Sequence, residues 1–487
     1  MKKKLLSGLF WVLLLNLLIK PFWILGIECG VQNAVAAEEY GLYTIIASLA
    51  YIFNILLDLG VTNFNTRNIA QHPQLITKHL SEILSIKLML FGLYVLVTFS
   101  VGLLFGYGSR QFCLLAWITF NQFLNSLIIY LRSNFEGLLM FKLDSVLSIM
   151  DRLLMIVICG CLLWGNRLGT FRIEWFVYSQ TAAYILTALL ALVALIRKTG
   201  FKKLHFRWPF TLAILKQSAP FALLVLLMAS YNRIDPVLLG RLLPQGAGTY
   251  QAGIYASAFR LLDALTMIAY LVSVPLLPVY SKLTKERDNA ANRTQINDIT
   301  LMVFSIRAMF SVTLAVTCSF LDTEIMDLMY TQHVDESARV FRILIFGIVP
   351  ISMTYIFGTL LTANGNLLQL NILAASTLIL NILINILLIP RIAAVGSAWA
   401  SLAAQSFMAL TQMLIAMRIF SMRPTLGYIC RIVLFVVAII AANLLCSRCR
   451  LPWGWQIASV LSLALALAFA LKLVNIKEMV TTVLNDE

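Results

Sequence analysis

Long apolar runs separated by short polar clusters dominate the chain. A bilayer crossing needs about twenty such residues. The runs predict roughly fourteen spanning helices, near 5–27, 40–62, 83–106, 112–131, 146–165, 174–196, 218–240, 252–280, 300–320, 341–362, 368–389, 395–417, 427–446 and 455–474. The runs are continuous rather than alternating, which excludes a transmembrane barrel. The predicted fold is an all-α polytopic membrane protein. Residues 1–199 form a lobe of six helices, 200–217 a cytoplasmic linker and 218–425 a second six-helix lobe. A further helix pair and tail occupy 426–487.

The polar positions inside these runs are the informative ones. The span at 218–240 contains Ser-Tyr-Asn-Arg-Ile-Asp-Pro-Val-Leu-Leu-Gly from Ser230 to Gly240, which puts Arg233 and Asp235 where a charge is costly. Pro236 has no N–H and crowds the carbonyl four residues back, so the sequence predicts a kink there. Lys20-Pro21 repeats this cation-then-proline arrangement in the first span, and Pro275 and Pro278 close the eighth. Further in-span charges are Asp58, Lys87, Asp151, Arg152, Arg260, Asp263, Arg307 and Arg342. Each also has a structural reading. Arg260 and Asp263, at i and i+3, can neutralise each other, while Lys87 and Arg307 lie within reach of a span end and can snorkel. Asn54 with Asp58, Asn121 with Asn125, and Asn381 with Asn385 stand four apart on helix faces. Such stripes suit sugar hydroxyls or interhelical hydrogen bonds; for Asn381 and Asn385 packing is the preferred reading.

Loop charge sets the topology. With the N-terminus inside, 21 loop lysines and arginines fall on the cytoplasmic side and 8 on the other, as the positive-inside rule requires. Both termini are then cytoplasmic. The run after Lys2-Lys3-Lys4 resembles a signal peptide, but it is too long and is interrupted by Lys20, so an uncleaved first helix is expected. An internal match supports two parallel halves. Glu39-Tyr40-Gly41-Leu42-Tyr43 and Gln251-Ala252-Gly253-Ile254-Tyr255 both carry Gly-x-Tyr at the start of a span, 212 residues apart.

Composition narrows the function. The chain is 60% hydrophobic and 12% charged, with mean hydropathy +0.88, far from a soluble domain. The net charge of +15 is dispersed among the spans rather than gathered in a basic arm, so nucleic acid is not an expected partner. Scattered cysteines, with one C-x-x-C at Cys446 and Cys449, give no metal pattern. No Walker A loop, H-E-x-x-H or G-x-S-x-G occurs, so an enzyme is not expected. In-span cations outnumber acids, and a cavity with that surplus suits an anionic group such as phosphate.

The motifs Glu39–Tyr43, Leu56–Gly60, Arg67–Ala70, Arg233–Gly240, Ala252–Tyr255 and Pro275–Leu283, in this order and spacing, resemble the Wzx-type polysaccharide flippases. These belong to the multidrug/oligosaccharidyl-lipid/polysaccharide exporter (MOP) superfamily. The resemblance covers about the first 425 residues. It implies alternating access and export of undecaprenyl-pyrophosphate-linked repeat units across the bacterial cytoplasmic membrane for O-antigen, capsule or exopolysaccharide synthesis. Polymerase and chain-length machinery are then partners, beside membrane lipids. Cavity cations, with Lys20 and Arg233 first and Arg260, Lys87, Arg152 and Arg307 behind them, would hold the pyrophosphate. Asp58, Asp235 or Asp263 would take H⁺ or Na⁺ as coupling ion, and Asn54, Asn121 and Asn125 would line the polar cavity. Pro21, Pro236, Pro275 and Pro278 would serve as hinges. No other cofactor and no metal is implied. The pair of helices after Arg423 resembles the lipid II flippase branch instead. A MATE-like drug exporter and a membrane-embedded glycosyltransferase or polymerase are the alternatives. Buried cations argue against the first, and the shortness of the outside loop 321–338 argues against the second.

Overall fold

The computed structural model describes residues 19, 21–71, 74, 76–138, 140–165, 170–199, 208–244, 246–273, 276–284, 290–449, 452–471 and 473. Lys20 and Pro275 lie outside the described residues. The described elements are helices, as apolar segments in lipid must satisfy their own backbone groups. Eleven described helical segments are long and apolar enough to cross a membrane.

The first compact unit is Met1–Ala256. It opens with a π-helical stretch, Trp23–Glu28, and continues through α1 (Cys29–Ala34), α2 (Ala37–Ile52) and a 3₁₀ extension, Phe53–Leu57. Then come α3 (Val61–Gln71), α4 (Ile76–Leu104), α5 (Ser109–Gly137), α6 (Phe141–Trp164), α7 (Ile173–Thr199) and α8 (Trp208–Leu242). Helix α9 (Ala247–Ser273) begins in this unit and ends in the next. The second span thus ends earlier than the sequence predicts. Asp58 lies in a turn, where Leu59 (φ 43°) and Gly60 (φ 83°) reverse the backbone twist before α3. Helix α8 runs as one element through Pro220 and Pro236. By its contacts it belongs to the first unit.

The second unit is Ser257–Glu487. It holds α10 (Leu276–Thr284), α11 (Ala290–Phe320), α12 (Asp322–Met329), α13 (Val334–Leu344) and α14 (Ile348–Ala363). After these come α15 (Leu367–Phe420), α16 (Leu426–Arg448) and α17 (Trp453–Ala470). Helix α15 is two spans joined by a tight reversal. Ile392 (φ −136°) and Ala393 (φ 47°) leave helical geometry just after Pro390. Thr377 Oγ1 lies 3.5 Å from Met408 Sδ, and Ser397 Oγ donates to Asn385 Oδ1 at 2.9 Å. Along a straight helix rising 1.5 Å per residue these pairs would stand about 46 and about 18 Å apart. Asn385 Nδ2 also donates to the Asn381 carbonyl at 3.0 Å, so this asparagine pair fastens the hairpin, the packing role expected of it. The last two helices pack on α11 through Val316, Phe435, Ile439 and Val460, all buried.

Candidate functional site

The stretch Ser230–Gly240 forms the C-terminal part of α8, which ends at Leu242. Ser230 and Asn232 bond back to the preceding turn, to the Leu226 and Met228 carbonyls at 2.7 and 2.8 Å. The two charges reach neighbouring helices. The Arg233 guanidinium lies 5.1 Å from the Tyr51 ring centroid of α2, a cation–π contact. Asp235 is 0% exposed and accepts a hydrogen bond from the Tyr255 hydroxyl of α9 at 2.9 Å. Two residues apart on one helix, Arg233 meets α2 and Asp235 meets α9 through these contacts.

A second ionic cluster forms where the second span breaks. Lys87 of α4 is 1% exposed. Its ammonium donates to Asp58 Oδ1, to the Leu57 carbonyl at 3.0 Å and to Ser126 Oγ at 2.8 Å. An ammonium has three donors, and all three are used. Thr62 adds its hydroxyl and backbone N–H to the Asp58 carboxylate. The sequence reads Lys87 as a cation at a helix end and Asp58 as a separate acid; the structure pairs them. The reason is the reversal at Leu59–Gly60, which ends the helix early and leaves the Leu57 carbonyl for Lys87 to cap.

A third group surrounds Arg152 of α6. Its guanidinium lies 5.4 Å from the Trp23 ring, within 3.8 Å of Asp151 and 3.5 Å from the Tyr184 hydroxyl. Gln180 donates to that hydroxyl at 3.2 Å and accepts from Asn121 at 3.3 Å, while Thr181 donates to Asn121 Oδ1 at 2.7 Å. A chain of polar groups therefore runs through the first unit from Asn121 to Arg152. Asn54 and Asn125 are half-buried. In the second unit Arg307 is buried against the Ser352 carbonyl at 3.5 Å, Arg260 is half-buried and Asp263 is exposed. Pro21 and Pro278 are exposed helical residues. Among the described residues no group of three or more His, Cys, Asp or Glu could hold a metal ion.

Sequence reading does not single out Tyr184 or Trp23, since each joins the site across helices, and it names Tyr255 only as part of a repeat. It also missed what the Gly-x-Tyr repeat does. A methyl carbon placed on Gly41 would lie 1.8 Å from the Thr249 carbonyl oxygen, and one on Gly253 would lie 2.2 Å from that of Ala37. Gly41 and Gly253 stand 212 residues apart, and so do Ala37 and Thr249. The contact is therefore reciprocal, as across a twofold axis. Gln32 Nε2 caps it by donating to the Gly253 carbonyl at 3.1 Å. One turn further along, Gly240 of α8 admits Ile45, whose side chain a methyl there would meet at 2.6 Å. Backbones this close in lipid need small residues.

Comparison with known proteins fits this arrangement. The profile of the polysaccharide biosynthesis protein family matches residues 5–284, and that of the lipid II flippase MurJ family matches 153–465. No curated protein matches. Among solved structures, the lipid II flippase MurJ in an inward closed conformation is similar at TM-score 0.67 and 15% identity, over 94% of this chain and 98% of that one. An inward-facing multidrug resistance MATE transporter of the MOP superfamily is similar at TM-score 0.65 and 13% identity, over 84% and 98%. A MATE transporter of Vibrio cholerae follows at TM-score 0.55 and 14% identity, over 86% and 97%. These identities show a shared fold. The family profiles each cover more than half of the chain, and with them the protein belongs to the MOP superfamily of flippases and exporters, within its polysaccharide biosynthesis and MurJ-type families.

Proposed function

We propose that this protein is a flippase that exports undecaprenyl-pyrophosphate-linked oligosaccharide units across the bacterial cytoplasmic membrane by alternating access. In this reading fourteen helices span the membrane, in two six-helix lobes and a C-terminal pair, with both termini inside. The observation that carries the reading is the reciprocal Gly41–Gly253 seam. It joins matching segments of the two sequence repeats at their non-cytoplasmic ends, and a closed seam between repeats is what alternating access has to open.

Arg233 and Lys20 take the pyrophosphate. Arg233 suits this role because its guanidinium, stacked on the Tyr51 ring, offers a fork of donors that matches phosphate. Lys87 has a different part. Its three donors are consumed, so it holds the Asp58 turn instead of a substrate. Of the candidate coupling acids, Asp235 is favoured over Asp58. It sits fully buried two residues from Arg233, and its hydrogen bond to Tyr255 on α9 couples it to the helix that forms the seam. Its uptake of H⁺ or Na⁺ then shifts the switch by the difference in affinity between the two states. Polymerase and chain-length proteins receive the product. Lipid II is the second reading for the substrate, because the MurJ-type match extends to residue 465 and takes in α16 and most of α17.

Flux of the lipid-linked oligosaccharide by Arg233→Ala and Lys20→Ala variants, at wild-type membrane abundance, tests the site. Strongly reduced flux is expected; unchanged flux in both would remove the cationic site from the account.

A further inference from the structure

The end of the first unit that carries the glycine seam also holds a cavity of about 430 Å³. Leu42, Ile45 and Ile46 of α2 give it an apolar side, and Phe105, Tyr107, Gln111 and Arg241 line it as well. Among the described residues that line it, Arg241 is the single charged side chain. It is also fixed. Its Nη1 donates to the Phe105 carbonyl at 2.6 Å, and its guanidinium lies 4.9 Å from the Phe105 ring. The Tyr107 ring packs edge-on against Phe105 and Phe112 at 6.2 Å each, yet its hydroxyl is buried with no hydrogen-bond partner among the described residues. Burial pushes that phenol up to about 12, so it stays a neutral O–H donor at physiological pH.

These features describe a site with one apolar wall, one anchored cation and one unused hydroxyl. It lies at the level where α2, α5 and α9 begin and α8 ends, which is headgroup depth for helices that cross a bilayer. Ile45 lies eight residues into α2, about 12 Å towards the membrane interior at 1.5 Å per residue. Buried hydroxyls without partners are uncommon in folded chains, and a ligand oxygen is one way to complete them.

We propose that this cavity binds an anionic glycerophospholipid of the leaflet at this end, the outer leaflet in the topology above. Its phosphate sits between Arg241 and the Tyr107 hydroxyl, and the start of an acyl chain lies along Leu42, Ile45 and Ile46. The site is separate from Arg233 and Asp235; lipid binding depends on the chain's spanning a membrane, and the leaflet rests on the topology proposed above. Gly240, Gly248 and Thr249 also line the cavity, so the lipid touches both sides of the seam and favours its closed form.

The test uses the purified full chain in micelles containing equal amounts of phosphatidylglycerol and phosphatidylcholine, with bound lipid read by native mass spectrometry. The wild type is expected to retain phosphatidylglycerol preferentially. Arg241→Gln should reduce that preference about tenfold, the value of one charge-assisted hydrogen bond, and Tyr107→Phe about twofold to fivefold. Arg448→Gln, at the exposed end of α16, should leave it unchanged. Equal retention of the two lipids by the wild type overturns the proposal, as does an undiminished preference in Arg241→Gln or an equal loss in Arg448→Gln. Displacement by millimolar inorganic phosphate reassigns the site to a free anion and overturns the lipid. If Arg241→Gln does not fold, Tyr107→Phe decides alone, since it keeps the ring packing and removes one O–H; unchanged preference there overturns the proposal.

Discussion

Removing Lys87 tests whether the break after the second span is held by a buried ion pair. The ammonium is 1% exposed, whereas the Asp58 side chain is 26% exposed. The two single substitutions therefore have unequal costs. Lys87→Met strands a carboxylate that water and the Thr62 donors still reach, and it frees the Leu57 carbonyl. Asp58→Asn strands an ammonium in a dry site. Breaking a buried pair from one side costs about 3–5 kcal/mol. The lower end applies to Lys87→Met and the upper end to Asp58→Asn. The double variant, with no charge to strand, should cost less than the sum by about 2–3 kcal/mol, the range seen for groups in one network. Equilibrium unfolding in mixed micelles, read by helical signal and run as a double-mutant cycle, measures all four species. Additive costs, or a single-variant loss under about 1 kcal/mol, the range of an exposed pair, would refute the locked break. Transport adds a second readout. If Asp58 only holds the turn, the double variant should retain flux that Asp58→Asn alone loses.

Further predictions follow from the same geometry. Gly253→Ala places a methyl 2.2 Å from the Ala37 carbonyl, so it should destabilise the chain by about 1–3 kcal/mol and separate α2 from α9, read as faster cross-linking loss between cysteines set on their first turns. Asp235→Asn should abolish dependence of flux on an imposed H⁺ or Na⁺ gradient, while Tyr255→Phe, which keeps the acid, should only shift it; gradient-driven flux in Asp235→Asn would reassign the coupling. Ser397→Ala should cost about 0.6 kcal/mol, a typical hydrogen bond between helices in lipid, and leave the α15 hairpin intact by limited proteolysis at Arg391.

Much of the fold was legible because its signals are local. The apolar runs mark the spans, and Pro390 with the following Arg391 marks the reversal inside α15. The Leu59–Gly60 break is carried by Leu-Leu-Asp-Leu-Gly, but an apolar run with one acid reads as a continued helix, so the sequence places its end too late. The site was less legible because its pairings are long-range. Lys87 and Asp58 are 29 residues apart and Asp235 and Tyr255 are 20 apart, and no periodicity links them. Arg152 finds Trp23 only because α6 packs on the first helical segment. The repeated Gly-x-Tyr was read as evidence of two halves. The close approach that demands glycine at both positions needs three dimensions to see.

The central claim is flipping itself. The purified wild-type chain would be reconstituted in vesicles loaded with an undecaprenyl-pyrophosphate oligosaccharide in one leaflet, and exposure of the sugar to a lectin on the other side followed with time. The account predicts exposure many times faster than in protein-free vesicles and dependent on an H⁺ or Na⁺ gradient. Exposure no faster than in empty vesicles, under either gradient, would contradict it.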